Sequence, residues 1–375
     1  MLTRFVSDQL FLEQKAEVLP NLFGSMLLVS GLSLAIGVIG LVFFEGISLL
    51  AHGLMLASFI CLSNLWLLII FMSGMKQFKK IVAIMAQGYF LLIVLAWFLR
   101  HYGSEGLFLA FFLSQAYLLF AFLHLIVAEF IDTQKILSFD FLKPQYAFYS
   151  LFACGTFYNL GVWSDKFVFW LSPSTSSLVV GWFRTSVIYD IPIFLAYLSV
   201  IPGMAVFLVR IETDFAELHE RYYNEVRGTA TLQTLITIKG EMNTVVRAGM
   251  AQIIKVQAVI IALLALWGEQ LLATLGIDTA YHALFTVDLV GVGIQVLFLS
   301  ILNVLFYFDK RYMAVTLTGI FCVSNAVLSL LTVWLGPEYY GFGFLGAVSL
   351  STLVGFWMLD NVFQNLEYDT FMLQK

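Results

Sequence analysis

YAFYSLFACGTFYNLGVWSDKFVFWL, residues 146–171, is an apolar run long enough to cross a bilayer as one α-helix. Its only charged residues are the adjacent Asp165 and Lys166, with Trp163 and Trp170 close by in the chain. A charged side chain at bilayer depth costs between ~2.5 and ~17 kcal/mol, depending on how far it can snorkel or pair. The run therefore predicts a transmembrane helix whose two charges need a structural or functional reason.

The composition of the whole chain is that of a membrane protein. Of its 375 residues, 61% are hydrophobic and only 11% are charged, whereas soluble domains have roughly 25% charged residues. A net charge of −5 does not favour a nucleic-acid partner. The three cysteines lie in apolar runs without a pairing pattern, which indicates small buried residues and not disulfides or a metal site.

Ten apolar runs are of transmembrane length, about 20 residues each. Barrel strands are excluded, because the runs are about twice strand length and do not alternate. We therefore expect an all-α polytopic membrane protein with spans near 22–44, 54–74, 81–99, 106–128, 146–171, 187–209, 250–268, 284–308, 313–335 and 342–360.

Positive charges orient the predicted spans. About 15 of the 19 Lys and Arg residues fall in alternate connecting segments on one side, which the positive-inside rule makes cytoplasmic. Only Arg100 and Arg184 fall on the other side. Both termini are therefore expected in the cytoplasm. A belt of interfacial tryptophans at the predicted outer ends agrees: Trp97, Trp170, Trp182, Trp267 and Trp334.

Signatures of enzymatic chemistry are weak in this sequence. The five histidines are dispersed and never flank an acid at metal-ligand spacing, and no phosphate-binding loop or nucleophile elbow is present. GFGFLG (341–346) has dinucleotide-binding glycine spacing but enters a predicted membrane helix with no strand before it. We expect no catalytic residues, no metal and no cofactor.

Polar residues in the fifth and sixth spans and in the segment between them are the candidate translocation path or gate. Residues adjacent in a helix point about 100° apart, so Asp165 and Lys166 are expected not to pair with each other. Either both snorkel to the outer surface, or they line a water-filled path and pair with Arg184 and Asp190 at the same predicted level. The candidate set is Asn159, Trp163, Asp165, Lys166, Arg184, Tyr189 and Asp190, with Pro192 and Pro202 as hinges. Lys255 and Asp288 are further charges within predicted spans.

Two cytoplasmic segments interrupt the apolar pattern. Residues 129–145 form a polar link, and residues 210–249 begin with the charged cluster Arg210, Glu212 and Asp214. The longer segment is either a docking site for another protein or an extension packed on this chain. Its apolar positions recur at helical spacing: Ile211, Phe215, Leu218, Tyr222 and Val226.

Three stretches carry a family likeness. LTRFVSDQLF (2–11), FYNLGVWSDKFVFWLSP (157–173) and YDIPIFLAYLSVIPGMAVFLVRIETDFAE (189–217) resemble the PelG family of exopolysaccharide exporters, and the likeness runs along the whole chain. This resemblance implies an inner-membrane protein of the flippase and multidrug-exporter (MOP) superfamily, with MATE-like architecture and two lobes of six helices.

The resemblance also implies a domain arrangement. Residues 1–128 would be a first lobe that lacks its first two helices, 129–145 the linker between lobes, 146–360 a complete second lobe, and 361–375 a cytoplasmic tail. In the family, a segment like LTRFVSDQL follows two membrane helices. The chain would then have either a misassigned start or a real short form.

The expected function is export of an amino-sugar-rich, Pel-like exopolysaccharide for the biofilm matrix, along a polar and aromatic path between two lobes. The resemblance implies a cytoplasmic glycosyltransferase and membrane scaffold subunits as partners. Polymerisation or a proton gradient, with Asp165 or Asp190 as proton carrier, would drive export. The alternatives are a lipid-linked oligosaccharide flippase, a cation-coupled antiporter of small molecules, and a non-transporting scaffold of a polysaccharide synthase.

Overall fold

The computed structural model describes residues 2–75, 77–130, 135–144, 148–228 and 230–372, except the side chain of Thr3. These residues form α-helices joined by short loops and a two-stranded hairpin of β1 (Ser177–Val180) and β2 (Phe183–Thr185). The helices are α1 (Leu2–Phe11), α2 (Val18–Leu41), α3 (Leu49–Gly74), α4 (Phe78–Leu99), α5 (Gly103–Glu129), α6 (Tyr149–Leu171), α7 (Val187–Leu198), α8 (Ile201–Val209), α9 (Ala216–Arg227), α10 (Leu232–Thr274), α11 (His282–Tyr307), α12 (Arg311–Leu335), α13 (Phe342–Gln364) and α14 (Leu366–Met372).

The prediction of an all-α polytopic membrane protein is confirmed, and each of the ten predicted spans overlaps a helix. By length and apolar composition alone, seven stretches of the described chain could cross a membrane, or up to eight if α7 and α8 count as one bent span. One of the seven is the 52-residue stretch Phe78–Glu129, which contains both α4 and α5. At 1.5 Å per residue, α4 with 22 residues is about 33 Å long and α5 with 27 residues about 40 Å, so each can cross a ~30 Å hydrocarbon core. Helix α6 is not among the seven, because Asn159, Asp165 and Lys166 lower its hydropathy.

The chain divides into two compact units. The first contains residues 1–149 and 178–183, and the second contains residues 150–177 and 184–375. Each has its own apolar core.

In the first unit, buried neutral side chains form hydrogen bonds that join neighbouring segments of the chain. The buried Asn21 of α2 donates to the Glu17 carbonyl at 2.8 Å and accepts from the Phe141 amide at 3.3 Å. These bonds fix residues 138–142 of the predicted linker against the start of α2. Asn64 of α3 donates to Ser30 of α2 at 2.9 Å, which joins the two helices.

In the second unit, the predicted sixth span is broken. Helices α7 and α8 meet at a 41° bend between Leu198 and Ile201. Pro192 lies inside α7, and Pro202 is the second residue of α8. Because proline has no backbone N–H, Pro192 removes one hydrogen bond of α7, whereas Pro202 is compatible with the first turn of α8, where the N–H has no helical partner. The break therefore falls between the two predicted hinge residues.

The segment 210–249 is largely a packed extension of the second unit. A π-helical turn, Arg210–Phe215, joins α8 to α9. Ile211, Phe215 and Tyr222 are fully buried in the core of the unit. The remainder of the segment is the start of α10, a 43-residue helix about 65 Å long that extends well beyond a bilayer. The apolar face of the segment is therefore already covered by its own chain.

The C-terminal residues that the sequence suggested as a tail are helical as far as Met372. Leu366 and Thr370 of α14 are buried. Glu367 pairs with Lys239 of α10, and Asp369 pairs with Lys310 before α12. These ion pairs attach α14 to the second unit.

Candidate functional site

Asp165 and Lys166 form an ion pair in the core of the second unit. Lys166 Nζ lies 3.2 Å from Asp165 Oδ2, and it also donates to the Val162 carbonyl at 3.0 Å. Asp165 is fully buried and Lys166 almost so. The expectation that neighbours on a helix cannot pair is wrong here, because the long lysine side chain folds back along its own helix. Neither charge snorkels to the surface.

Tyr189 of α7 completes the environment of this pair. Its hydroxyl donates to Asp165 Oδ2 at 2.6 Å, and its ring stacks on Phe169 with centroids 3.9 Å apart. Lys166 Nζ also lies 5.3 Å from the centre of the Tyr197 ring, within the range of a cation–π contact. The carboxylate and ammonium thus have partners on both α6 and α7.

Asp190 and Arg184 do not pair with these charges, which corrects the expected cross-pairing of the four groups. Asp190 lies in the first turn of α7 and accepts from Trp170 Nε1 at 2.9 Å, from Thr185 Oγ1 at 2.9 Å and from the Ser186 amide at 3.2 Å. These donors and the helix N-terminus satisfy its negative charge. Arg184 instead donates to the Ser176 hydroxyl at 2.7 Å and to its carbonyl at 3.1 Å.

Asp288 of α11 is the buried acid without a hydrogen bond. It is fully buried, and neither carboxylate oxygen has a partner among the described residues. Asp165 and Lys166 are close enough to interact with it electrostatically. A buried carboxyl group without a hydrogen bond is costly, so this residue differs in kind from Asp165 and Asp190.

A groove of about 500 Å³ runs along the exposed face of α6. Asn159, Trp163 and Phe167 line it together with Leu151, Phe152, Gly155, Thr156 and Leu160. Trp163, Phe167 and Trp170 form one aromatic cluster with centroids 5.8–6.1 Å apart. Through Trp170, this cluster is bonded to Asp190.

Helix α6 approaches α12 closely behind this groove. A Cβ atom at Gly161 would lie 2.6 Å from the Phe321 ring, so only glycine permits the contact. Asn325 donates to the Gly161 carbonyl at 2.8 Å. The α6–α12 contact therefore fixes the face that α6 presents.

The predicted cytoplasmic cluster separates into two contacts. Arg210 donates to Asp214 at 2.8 Å and to Gln252 of α10 at 2.8 Å. Glu212 instead accepts from Asn303 of α11 at 2.6 Å. The three residues tie the π-helical turn to two different helices.

Sequence reasoning did not assign Asp288 a role, although a lone acid in an apolar run is itself a signal. It also missed the Trp170–Asp190 bond, since nothing in the sequence shows which indole reaches which carboxylate. Among the described residues, no three His, Cys, Asp or Glu side chains come together as a metal site.

Two solved transporters share this fold. One is a MOP superfamily transporter from Pyrococcus furiosus Vc1, whose description reports a binding pocket of reversed polarity and suggests a different function. It has TM-score 0.60 and 11% identity over 98% of this chain and 83% of that one. The other is a MATE protein in complex with MaL6, with TM-score 0.62 and 12% identity over 98% of this chain and 84% of that one. The fold is that of MOP superfamily transporters.

The sequence of the chain identifies its family. The family model of PelG, described as putative exopolysaccharide exporter, matches residues 1–371, so the chain belongs to the PelG family. No curated protein sequence matches this chain.

Proposed function

We propose that this protein is a non-enzymatic transporter that exports an amino-sugar-rich exopolysaccharide of the biofilm matrix. The observation that carries the proposal is the exposed groove of α6, with aromatic rings and an amide backed by buried charges. Family membership and the MOP fold support a transporter of this substrate class.

The groove has the chemistry that sugar rings require. The rings of Trp163 and Phe167 offer apolar faces to the C–H faces of a pyranose, and Asn159 offers an amide for hydroxyl groups. Such contacts tolerate movement, because stacking on an aromatic face does not depend on one fixed hydrogen-bond geometry. A polymer could therefore slide along α6 without a deep binding minimum.

The buried Asp165–Lys166–Tyr189 cluster sets the position of α6 relative to α7. Asp165 is bonded to a side chain of each helix, and α7 ends at the 41° break. We propose that bending at this break moves the cluster and gates the path. The Asp165–Lys166 pair would then connect the groove on α6 to the hinge after α7, without itself contacting every passing sugar.

The test is polysaccharide secretion per molecule of exporter in membranes. Trp163→Ala removes the central ring of the groove and should lower secretion about five- to thirtyfold, the factor for one or two kcal/mol. Trp357→Ala is the matched control, because Trp357 is an exposed tryptophan of α13 outside the groove. Equal secretion from both variants would contradict the assignment of the groove.

For the partners, we propose that the exposed charges of α9 contact a cytoplasmic glycosyltransferase of a Pel-type synthase with its membrane scaffold. Deleting 210–249 would remove core residues and part of α10. Charge reversal at the exposed Glu217 and Glu220 is the cleaner change. Loss of synthase co-purification with unchanged protein stability supports docking; unchanged co-purification refutes it.

The same variants test the scaffold alternative. A pure scaffold would lose secretion on charge reversal at α9 but keep it in Trp163→Ala. A transporter loses secretion in Trp163→Ala while the synthase remains assembled.

For localisation, we propose the bacterial inner membrane with both termini in the cytoplasm, as the positive charges indicate. A reporter that is active only in the cytoplasm, fused after Lys375, should be active. A reporter that is active only outside the cytoplasm, inserted at Gly336, should also be active. The opposite pattern would overturn the orientation.

A second candidate function, cation-coupled antiport of a smaller solute, is favoured by Asp288. A fully buried acid without a hydrogen bond is able to exchange a proton when its surroundings open. Antiport predicts transport by purified protein in liposomes with a pH gradient and no glycosyltransferase, and its loss in Asp288→Asn. Secretion that requires the synthase and survives Asp288→Asn would exclude it.

A further inference from the structure

A second cavity in the second unit lies between α10 and α13 and has a volume of about 340 Å³. Its polar rim consists of Asn243, Arg247 and Asp360. Its other lining residues are apolar. Met250, Ala251, Ile254, Phe356 and Leu359 form the floor, whereas Val246 and Phe363 lie at the level of the rim. None of these residues belongs to the groove of α6 or to the Asp165–Lys166 cluster.

The cavity is amphiphilic along the helix axes. On α10 the polar rim begins at Asn243 and the apolar floor reaches Ile254, about 16 Å further along the helix. On α13, which is oppositely directed, Asp360 is at the rim and Phe356 on the floor. The predicted spans 250–268 and 342–360 have their cytoplasmic ends at residues 250 and 360. The rim therefore lies at headgroup level and the floor in the hydrocarbon region.

The rim carries one positive and one negative group. Arg247 Nη2 lies 3.3 Å from Asp360 Oδ1, and the two side chains are 70% and 51% exposed. Arg247 is oriented by a bond to Asn243 Oδ1 at 3.1 Å, and Asp360 by a bond from Gln364 at 2.6 Å. An exposed ion pair of this kind contributes about 0–1 kcal/mol, so a ligand can replace it at little cost.

We propose that this cavity binds a zwitterionic phospholipid with a primary ammonium headgroup, of the phosphatidylethanolamine type. The lipid phosphate binds the Arg247 guanidinium, the ammonium donates to Asp360, and one acyl chain lies along the apolar floor. Lipid tails are as apolar as the floor itself, so the headgroup and not the tail selects the ligand. Asp360 repels an anionic headgroup, and a choline headgroup has no N–H to donate.

The chain contains a matched control for the rim. Arg221 and Glu241 form an ion pair at 3.4 Å with 55% and 45% exposure, and neither residue lines the cavity. This pair has nearly the same N–O distance and similar exposure. Substitutions at Arg221 or Glu241 measure the effect of losing a surface ion pair that does not line the cavity.

The experiment is native mass spectrometry of the purified full chain in micelles that contain phosphatidylethanolamine, phosphatidylcholine or phosphatidylglycerol. Wild type should retain phosphatidylethanolamine preferentially, and Arg247→Ala should reduce its retention about tenfold, the factor for 1.4 kcal/mol. Asp360→Asn should shift the preference towards phosphatidylglycerol. Ala251→Phe should reduce retention of every lipid by filling the floor, while Arg221→Ala and Glu241→Gln should leave lipid retention unchanged.

Equal retention of the three lipids by wild type overturns the proposal. So does equal loss in the Arg247 and Arg221 variants, or retention of phosphatidylethanolamine in Arg247→Ala at the wild-type level. Thermal unfolding of each variant is measured in parallel. The selectivity shift in Asp360→Asn is a gain that misfolding cannot produce.

Discussion

The first unit buries neutral polar side chains at its helix contacts, whereas the second unit buries two acids and a base. Asn21, Asn64 and Ser114 are typical of the first unit, and in its described residues no charged side chain is fully buried. Asp165, Lys166 and Asp288 lie in the core of the second unit. Both units contain apolar helices of more than 20 residues, such as α2 and α3 in the first and α11 and α12 in the second, so helix packing by itself does not demand charges.

We propose that this difference marks the second unit as the one that carries the functional charges. A neutral hydrogen bond such as Ser114 to the Gly88 carbonyl, at 2.8 Å, joins two helices without burying a charge. Buried ions cost more and stabilise less than a well-packed apolar group. The charges of the second unit therefore require a reason other than stability, and the following experiments test that conclusion.

The largest effect is expected from Lys166→Met. It leaves the Asp165 carboxylate buried with Tyr189 as its remaining hydrogen-bond donor, which should destabilise the protein by about 3–5 kcal/mol. Thermal and denaturant unfolding of the purified protein measure the change. The double variant Asp165→Asn, Lys166→Met should recover most of the loss, since Asn still accepts from Tyr189. Equal destabilisation in both variants would show that lysine packing, and not charge, is responsible.

Asp288→Leu should stabilise the protein, whereas Lys166→Met should destabilise it. No hydrogen bond of Asp288 is lost, and removing an unsatisfied buried polar group should stabilise the fold by about 1–3 kcal/mol. Under the cation-coupled alternative, secretion should nevertheless fall, which is the pattern of a residue kept for function. The midpoint of thermal unfolding and a secretion assay check the two parts. A stabilised variant with normal secretion would mean that Asp288 has no role in transport.

The first unit should behave differently when its neutral contacts are removed. Asn64→Leu deletes the bond to Ser30 and should cost about 1 kcal/mol of stability. Secretion per folded molecule should stay at the wild-type level, because no charge or gate is affected. A strong transport defect in this stable variant would place functional polar residues in both units and remove the distinction.

The smallest effect is expected on the pH dependence of stability, through Asp140 in the segment 135–144 of the first unit. Hydrogen bonds from Lys143 and then Ser138 hold the pKa of the Asp140 carboxyl below its ordinary value. Its stabilisation is therefore present above about pH 3.9, the unfolded value, and is lost as pH falls through the lower folded value. Asp140→Asn should cost at most about 1 kcal/mol at pH 7, and nothing at a pH below the folded value. Unfolding curves of wild type and Asp140→Asn at both pH values measure the difference in stability. A difference that is larger at acid pH than at pH 7 would contradict the prediction.

Part of the candidate site was predictable from residues 146–171 and 187–209. The helices, the polar residues within them and the prolines at the broken span follow from local composition. The pairing of those residues was not predictable. Lys166 pairs with its own neighbour, Arg184 turns to Ser176, and Trp170 satisfies Asp190. The rule that helical neighbours diverge describes Cβ directions, whereas a lysine side chain is long enough to return to its own helix.

The sequence by itself determined that this is a membrane-embedded helical protein, because helix length and hydropathy are properties of consecutive residues. It also determined the family, through whole-chain similarity. Only the tertiary structure decided which charges pair, and that Asp288 has no hydrogen bond among the described residues. It also brought Arg247 and Asp360, 113 residues apart in the chain, to one rim. These contacts depend on how each helix is rotated against its neighbours, and packing across the whole core sets that rotation.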